Sequence, residues 1–221
     1  MTSSEYYFDI LYPFQDRVLK EIRLADTAFY LTGGTAASRG YLNHRFSDDL
    51  DLFVNDDDHF GLWAERIIQS LAREEAWKVS VDQKEERFAR LTVANADLAL
   101  KVEMVNDVPA RVGQVIVHPV LGRLDSARNI LANKVTALLD REEPKDFADI
   151  WGFCCQTNLS LKEAITDAQS KAAGVFPADL ARLLCSANHA DWEAVRWINP
   201  PDAEVFLVQL NELGEELLLL K

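Results

Sequence analysis

Asp49 and Asp51 stand either side of Leu50 in the run Asp49-Leu50-Asp51-Leu52-Phe53-Val54, which alternates as a half-buried strand does. A period of two puts both carboxylates on one face, about 6–7 Å apart along the strand. Leu50 and Leu52 then point the other way, into a core. Two like charges on a strand otherwise full of apolar residues repel each other and need a compensating cation. A divalent ion with oxygen ligands meets that need, and Mg²⁺ in particular adds substrate phosphates to a few carboxylates. Glu103, on a second alternating run, becomes a third ligand if its strand neighbours the first. Such a set can hold one or two ions that bridge phosphates and activate an attacking hydroxyl. Upstream, Gly33-Gly34-Thr35 ends the short apolar run Phe29–Thr32. The glycines permit close backbone approach, the N–H groups that follow can face a phosphate, and Thr35 adds a hydroxyl. Taken singly, a D-x-D is an exposed strand face, a Gly-Gly-Thr is a turn and Glu103 is a surface residue. The specificity lies in their order: strand, Gly-Gly-Thr, short helix or turn, then Asp-Leu-Asp-Leu.

The elements that must position these residues follow from periodicity. Apolar residues at helical spacing predict a helix from about Pro13 to Ala28, with Pro13 in its first turn. Strands are expected at 29–32, 50–54, 77–82, 86–94 and 98–105, with a further extended piece at 114–118. In the 98–105 run Leu98, Leu100, Val102 and Met104 face one way and Ala99, Lys101 and Glu103 the other. A helix is expected at 59–76, with Asp56 to Asp58 at its start. The period then changes. Residues 125–140, 145–156, 160–172, 177–186 and 201–219 all read as helices, the third capped by Asn158 or by Ser160 with Glu163. The organisation expected is α+β: a mixed sheet flanked by helices in residues 1–120, and a helical region, 121–221, packed on it.

Composition narrows the function classes. The 221 residues carry 36 acids against 23 Lys and Arg, a formal net charge of -13. Such a chain repels nucleic acid and anionic lipid unless its basic residues are locally concentrated. The three cysteines, at 154, 155 and 185, form neither a C-x-x-C unit nor a disulfide framework. They are expected to be free thiols in the cytoplasm. The opening MTSSEYYFDILYPF lacks the basic region and long apolar core of a signal peptide. No run approaches 18 apolar residues, and the leucines at 217–220 are too few to span a membrane. G-x-S-x-G, G-x-G-x-x-G and P-loop patterns are missing.

With those residues in place, the sequence resembles the nucleotidyltransferase superfamily that includes DNA polymerase beta, and more closely its AbiEii/AbiGii toxin branch. The branch opens with Gly-Gly-Ser/Thr followed by Arg-x-Ser-x-Asp-x-Asp. Here that is Gly33-Gly34-Thr35, then Arg45-Phe46-Ser47-Asp48-Asp49-Leu50-Asp51. Lys101-Val102-Glu103 matches its strand ending in a carboxylate. Lys134, Arg141, Lys145, Asp146 and Asp149 match its Lys…Arg…Lys-Asp-x-x-Asp signature, and the likeness runs from about 28 to 155. Thr35 stands where serine is commoner. Glu103 stands where many relatives have Asp, one methylene shorter, and is expected to reach a metal only through water or not at all.

The resemblance implies a Mg²⁺-dependent nucleotidyltransferase acting on a nucleoside triphosphate. It makes Asp49, Asp51 and Glu103 metal ligands, and these three with Lys134 and Asp146 the catalytic set. Gly33, Gly34, Thr35, Arg45, Ser47 and Lys134 are then the phosphate-binding set. Read from the sequence alone, Arg45 can contact phosphate or pair with Asp48. Lys134, on an amphipathic helix, is a phosphate counter-charge, an exposed lysine, or part of a buried salt bridge across this region, where Asp146 can hold either Lys134 or Lys145. The acceptor expected by resemblance is a hydroxyl of RNA, such as a tRNA 3′ end, or of a protein, and a cognate antitoxin is the expected partner. The alternatives are nucleotidylation of a small molecule, and an inactive binding protein on the same fold.

Overall fold

The computed structural model describes residues 2–219. Leu220, the last of the terminal leucine run, lies outside the described residues, as do Met1 and Lys221. The chain forms two compact units. The first comprises Met1–Ala36, Ser47–Pro109 and Gln114–Asp125, and the second Ala37–Phe46, Ala110–Gly113 and Ser126–Lys221.

The first unit is built on a mixed sheet of β1 (Tyr30–Thr32), β2 (Leu50–Asn55), β3 (Lys78–Lys84), β4 (Phe88–Asn95), β5 (Leu98–Asp107), β6 (Ile116–His118) and β7 (Gly122–Leu124). Their spatial order is β3-β4-β5-β2-β1-β7-β6. β2 lies antiparallel to β1 and parallel to β5, and β1 lies parallel to β7. The alternation read in the sequence is the burial seen. Leu50, Leu52 and Val54 of β2, Leu100, Val102 and Met104 of β5, and Ala89, Leu91 and Val93 of β4 are all buried. Their face of the sheet makes the core with the helices α2 (Tyr12–Leu24) and α4 (Phe60–Leu71), which present Phe14, Val18, Leu19 and Ile22, and Phe60, Ala64, Ile67 and Leu71. Phe29 meets Phe60 edge-on at 5.8 Å, and Phe14 meets Trp77 at 5.7 Å.

Several boundaries differ from expectation, and the helix expected at 59–76 ends at Leu71. The first helix ends at Leu24, four residues short, and is preceded by helical turns, α1 (Ser3–Glu5) and a π-helical stretch, Tyr6–Leu11. Among the described residues the sheet has seven strands, where five and a further extended piece were expected. The unread one, β7, is three residues long, too short for a period to show. The glycine pair opens α3 (Gly33–Ala37), which leads into a π-helical turn, Ser38–Leu42.

The second unit is helical, and the C-terminal region of the chain is helical as expected. It contains α5 (Ala127–Arg141), α6 (Pro144–Trp151), a π-helical turn (Gly152–Gln156), α7 (Leu161–Gln169), α8 (Pro177–Ser186), α9 (His189–Ala194) and α10 (Ala203–Leu218). Ser160 caps α7 by accepting from the Glu163 N–H. The six-residue α9 was not foreseen. Trp151, Trp197 and Phe206 pack edge to face with centroids 5.5–6.0 Å apart. Residues 44–46 run beside 196–198: the Phe46 N–H donates to the Arg196 carbonyl and the Ile198 N–H to the His44 carbonyl. Among the described residues no helix is long and apolar enough to cross a membrane.

Candidate active site

The parallel pairing of β2 with β5 sets Asp51 opposite Glu103, and the antiparallel pairing with β1 sets Asp51 opposite Thr32. Arg90 of β4 is the register partner of Glu103. Partners in register share a face, so Arg90, Glu103, Asp51 and Thr32 form one row across four strands. The row lies on the side of the sheet opposite the Leu/Val core. Asp49 immediately precedes β2 and reaches the same face: its Oδ2 lies 2.8 Å from Nζ of Lys101, two positions before Glu103.

The glycine turn sits directly on this row. Gly33 has φ +67°, and a Cβ built on it would fall 2.0 Å from Asp51 Oδ2. Only a residue with no side chain lets the turn close over the carboxylate. Gly33→Ala therefore combines left-handed strain with a steric conflict. It should lower unfolding free energy by about 1–3 kcal/mol, read from denaturant midpoints, and displace Asp51. An unchanged midpoint would contradict this geometry.

Thr35 and Ser47 join the turn to β2. The Thr35 hydroxyl donates to the Asp49 carbonyl and lies 2.9 Å from the Ser47 hydroxyl. Both side chains are buried. Gln15 Nε2 donates to the carbonyls of Ser47 at 3.2 Å and Asp48 at 2.8 Å, and the Tyr7 hydroxyl donates to the Asp48 carboxylate. The chain thus enters β2 pinned by α2 and the turns before it.

The compensating cation that the aspartates demand is already present as Lys101. Its ammonium is 2.8 Å from Asp49 Oδ2 and 3.5 Å from Glu103 Oε1. Glu103 Oε1 also accepts from Arg90 Nε at 2.8 Å. Partial burial disfavours the charged lysine. The hydrogen bond to Asp49 and the charges of Asp49, Glu103 and Asp51 outweigh it, and hold its pKa above the ordinary lysine value. As the site stands, no three His, Cys, Asp or Glu side chains among the described residues are gathered for a metal ion. The donors themselves are hard oxygens on one face beside a backbone turn, which is the set Mg²⁺ takes. Asp49 and Asp51 fit that ion. Glu103 is engaged by Arg90 and Lys101.

Arg45, Lys134 and Asp146 belong to the second unit, where they form a buried ion cluster. Lys134 Nζ lies 2.9 Å from Asp146 Oδ1 and 2.7 Å from Asp149 Oδ2. Arg45 clasps Asp149 with Nε at 2.8 Å and Nη2 at 2.7 Å. Arg141 Nε donates to Asp146 Oδ2 at 2.8 Å. Both aspartates are fully buried. Burial pushes their pKa values up, but the charges and hydrogen bonds of Arg45 and His44 at Asp149, of Arg141 at Asp146, and of Lys134 at both prevail and hold them below the usual carboxylate range. Of the sequence alternatives for Lys134, the structure displays the buried salt bridge.

His44 Nε2 faces Asp149 at 3.0 Å, while its buried Nδ1 meets no hydrogen-bond partner. Burial lowers its pKa from 6.5, against the pull of Asp149. The unfolded chain then accepts a proton near pH 6.5 that the folded unit refuses. The stabilisation is complete above that pH and lost as pH falls below it, with a slope of up to about 1.4 kcal/mol per pH unit. Chemical denaturation across this range should show the slope, and His44→Gln should remove it.

Sequence reasoning missed three participants. Lys101 lies two positions before Glu103, so period two already placed it on the same face. Arg90 becomes visible only once β4 pairs with β5. Asp125 is fully buried and accepts from the Thr32 hydroxyl at 2.8 Å, a pairing across 93 residues that no local pattern signals.

The chain matches, over residues 17–194, a family model described as nucleotidyl transferase AbiEii toxin, type IV toxin–antitoxin system. Among solved structures, JHP933 from Helicobacter pylori is 20% identical, covers 98% of this chain and 93% of its own, and superposes with a TM-score of 0.65. MenT4, a nucleotidyltransferase toxin from Mycobacterium tuberculosis H37Rv, is 16% identical over 100% of this chain and 87% of its own, with a TM-score of 0.69. At such identities the likeness is one of fold, a nucleotidyltransferase-type mixed sheet with flanking helices. No curated protein sequence matches the chain.

Proposed function

This chain belongs to the AbiEii nucleotidyl transferase toxin family, and we propose that it moves a nucleotidyl group from a nucleoside triphosphate to a hydroxyl of RNA or protein, as the toxin of a toxin–antitoxin pair. The observation that carries the reading is the closure of the Gly33 turn onto Asp51, on the face that also bears Asp49 and Glu103.

Asp49 and Asp51 would hold Mg²⁺. When bound, that ion supplies charge neutralisation at the α-phosphate and the leaving pyrophosphate. The backbone N–H groups that follow Gly33 and Gly34 face the β and γ phosphates, supported by Thr35 and Ser47, whose hydroxyls fix the turn against β2. Glu103 takes the proton of the acceptor hydroxyl. The acceptor oxygen bonds to the α-phosphorus and the bond to pyrophosphate breaks. Catalysis of this kind rests on placement and charge, with no covalent enzyme intermediate. Lys134, Arg45 and Asp146 enter through the family signature. In this structure Lys134 is paired with Asp146 and Asp149. Three free thiols fit work in the reducing cytoplasm. With a net charge of -13, an RNA acceptor has to be met by a local concentration of arginines.

The test is incubation with each labelled triphosphate, Mg²⁺ and a cell extract. Label should move into RNA or protein. A lack of transfer from all four nucleotides would overturn the enzymatic reading. Expression without a co-encoded antitoxin should slow growth, and unaltered growth from active enzyme would remove the toxin half of the proposal.

A further inference from the structure

Resting on that reading of the site, we infer that Lys101 is a tethered cation that keeps free divalent metal out of the carboxylate pair until a nucleotide arrives. Its ammonium lies 2.8 Å from Asp49 Oδ2 and 3.5 Å from Glu103 Oε1. A divalent ion bound by Asp49 would need the lone pairs that this ammonium already uses, and it would repel the ammonium at close range. Metal and ammonium therefore compete for one place.

The lysine is built to leave. Its side chain is 40% exposed, and so is 41% of Asp49's, so the pair faces water rather than an enclosed pocket. A four-carbon stem with a point charge reorients freely. Glu103 does not depend on it, because Arg90 donates to the same oxygen at 2.8 Å. A departing Lys101 leaves Glu103 still paired and frees the Asp49 oxygen.

What makes departure favourable is a new anionic partner. A polyphosphate laid along the glycine turn brings several negative charges to the face that Lys101 occupies. The ammonium can then transfer from Asp49 to a phosphate oxygen while the metal takes its former position. Metal and triphosphate then bind cooperatively. Each strengthens the other by the same factor, since coupling is reciprocal. Without nucleotide the site stays neutralised by its own lysine.

The experiment uses the full chain, Mn²⁺ as a spectroscopic probe of metal binding, and an α,β-methylene triphosphate that cannot react. Lys101→Met removes the charge and keeps an unbranched stem, and Lys101→Arg keeps the charge. Without nucleotide, Lys101→Met should bind Mn²⁺ about tenfold more tightly than wild type, with Lys101→Arg close to wild type. Adding the triphosphate analogue should erase most of that difference, because only the charged proteins gain from relocating a cation. Asp49→Asn should bind Mn²⁺ weakly throughout. Equal or weaker Mn²⁺ binding by Lys101→Met would overturn the competition. A difference that persists with the analogue would overturn the coupling. Absence of Mn²⁺ binding in every protein, with and without the analogue, would instead remove the metal-dependent reading on which the inference stands.

Discussion

Asp51→Asn should abolish nucleotidyl transfer, with a loss on the order of 10³-fold, while leaving the fold intact. Asparagine has the same shape, and Asp51 is partly buried, so the β1–β2–β5 register and the Gly33 contact can persist. What disappears is the charge. An amide is a poor ligand for a hard divalent ion, and the negative face opposite the phosphates weakens. Taking one of the three carboxylate charges of Asp49, Asp51 and Glu103 off this face should not lower the thermal midpoint. The measurement pairs a label-transfer rate with thermal unfolding on the same preparation. Transfer within tenfold of wild type, in a protein that unfolds normally, would mean that Asp51 does not carry the chemistry.

The second large effect falls on stability. Asp149 is fully buried and serves Arg45, Lys134 and His44 at once, with contacts of 2.7–3.0 Å. Asp149→Ala leaves two buried cations without a shared anion. Removing one member of such a cluster typically costs about 3–5 kcal/mol. In a chain of this size that should lower the unfolding midpoint by roughly 10 °C. The pH dependence has a definite sign. The folded-state pKa of Asp149 is depressed, so its stabilisation is complete above the ordinary 3.8 and declines as pH falls below it. The variant should therefore lose least, relative to wild type, in strong acid. A midpoint unchanged at neutral pH would show that the cluster is energetically neutral.

These two expectations draw on parts of the molecule that were unequally legible. Strand β5 announced itself through Leu98, Leu100, Val102 and Met104, and β2 through Leu50, Leu52 and Val54, because half-buried strands write their faces into alternate positions. The glycine pair and the Asp-Leu-Asp run were visible for the same local reason. That β5 lies beside β2 was not visible. It depends on a parallel crossover, and with it came the contacts of Asp49 with Lys101 and the row from Arg90 to Thr32. The partner of Arg45 was equally hidden. It lies 104 residues away, and Asp48 next to the motif was the nearer candidate on the page. Short elements escaped because a period needs several residues to declare itself, as β7 and α9 show. The resemblance supplied Lys134 and Asp146 as members of one signature, but which lysine Asp146 holds, and that the pair is buried, was decided only by how α5 and α6 pack.

The parallel register of β2 with β5 and of β1 with β7 also sets a schedule for synthesis. Asp51 gains its neighbour only after Glu103 has been made, and Leu31 pairs with Leu124 near the end of the first unit. A ribosome adding about 5–20 residues per second therefore carries, for several seconds, a growing chain whose glycine turn has no finished sheet beneath it. The carboxylate face therefore cannot be completed until more than half of the chain has been made.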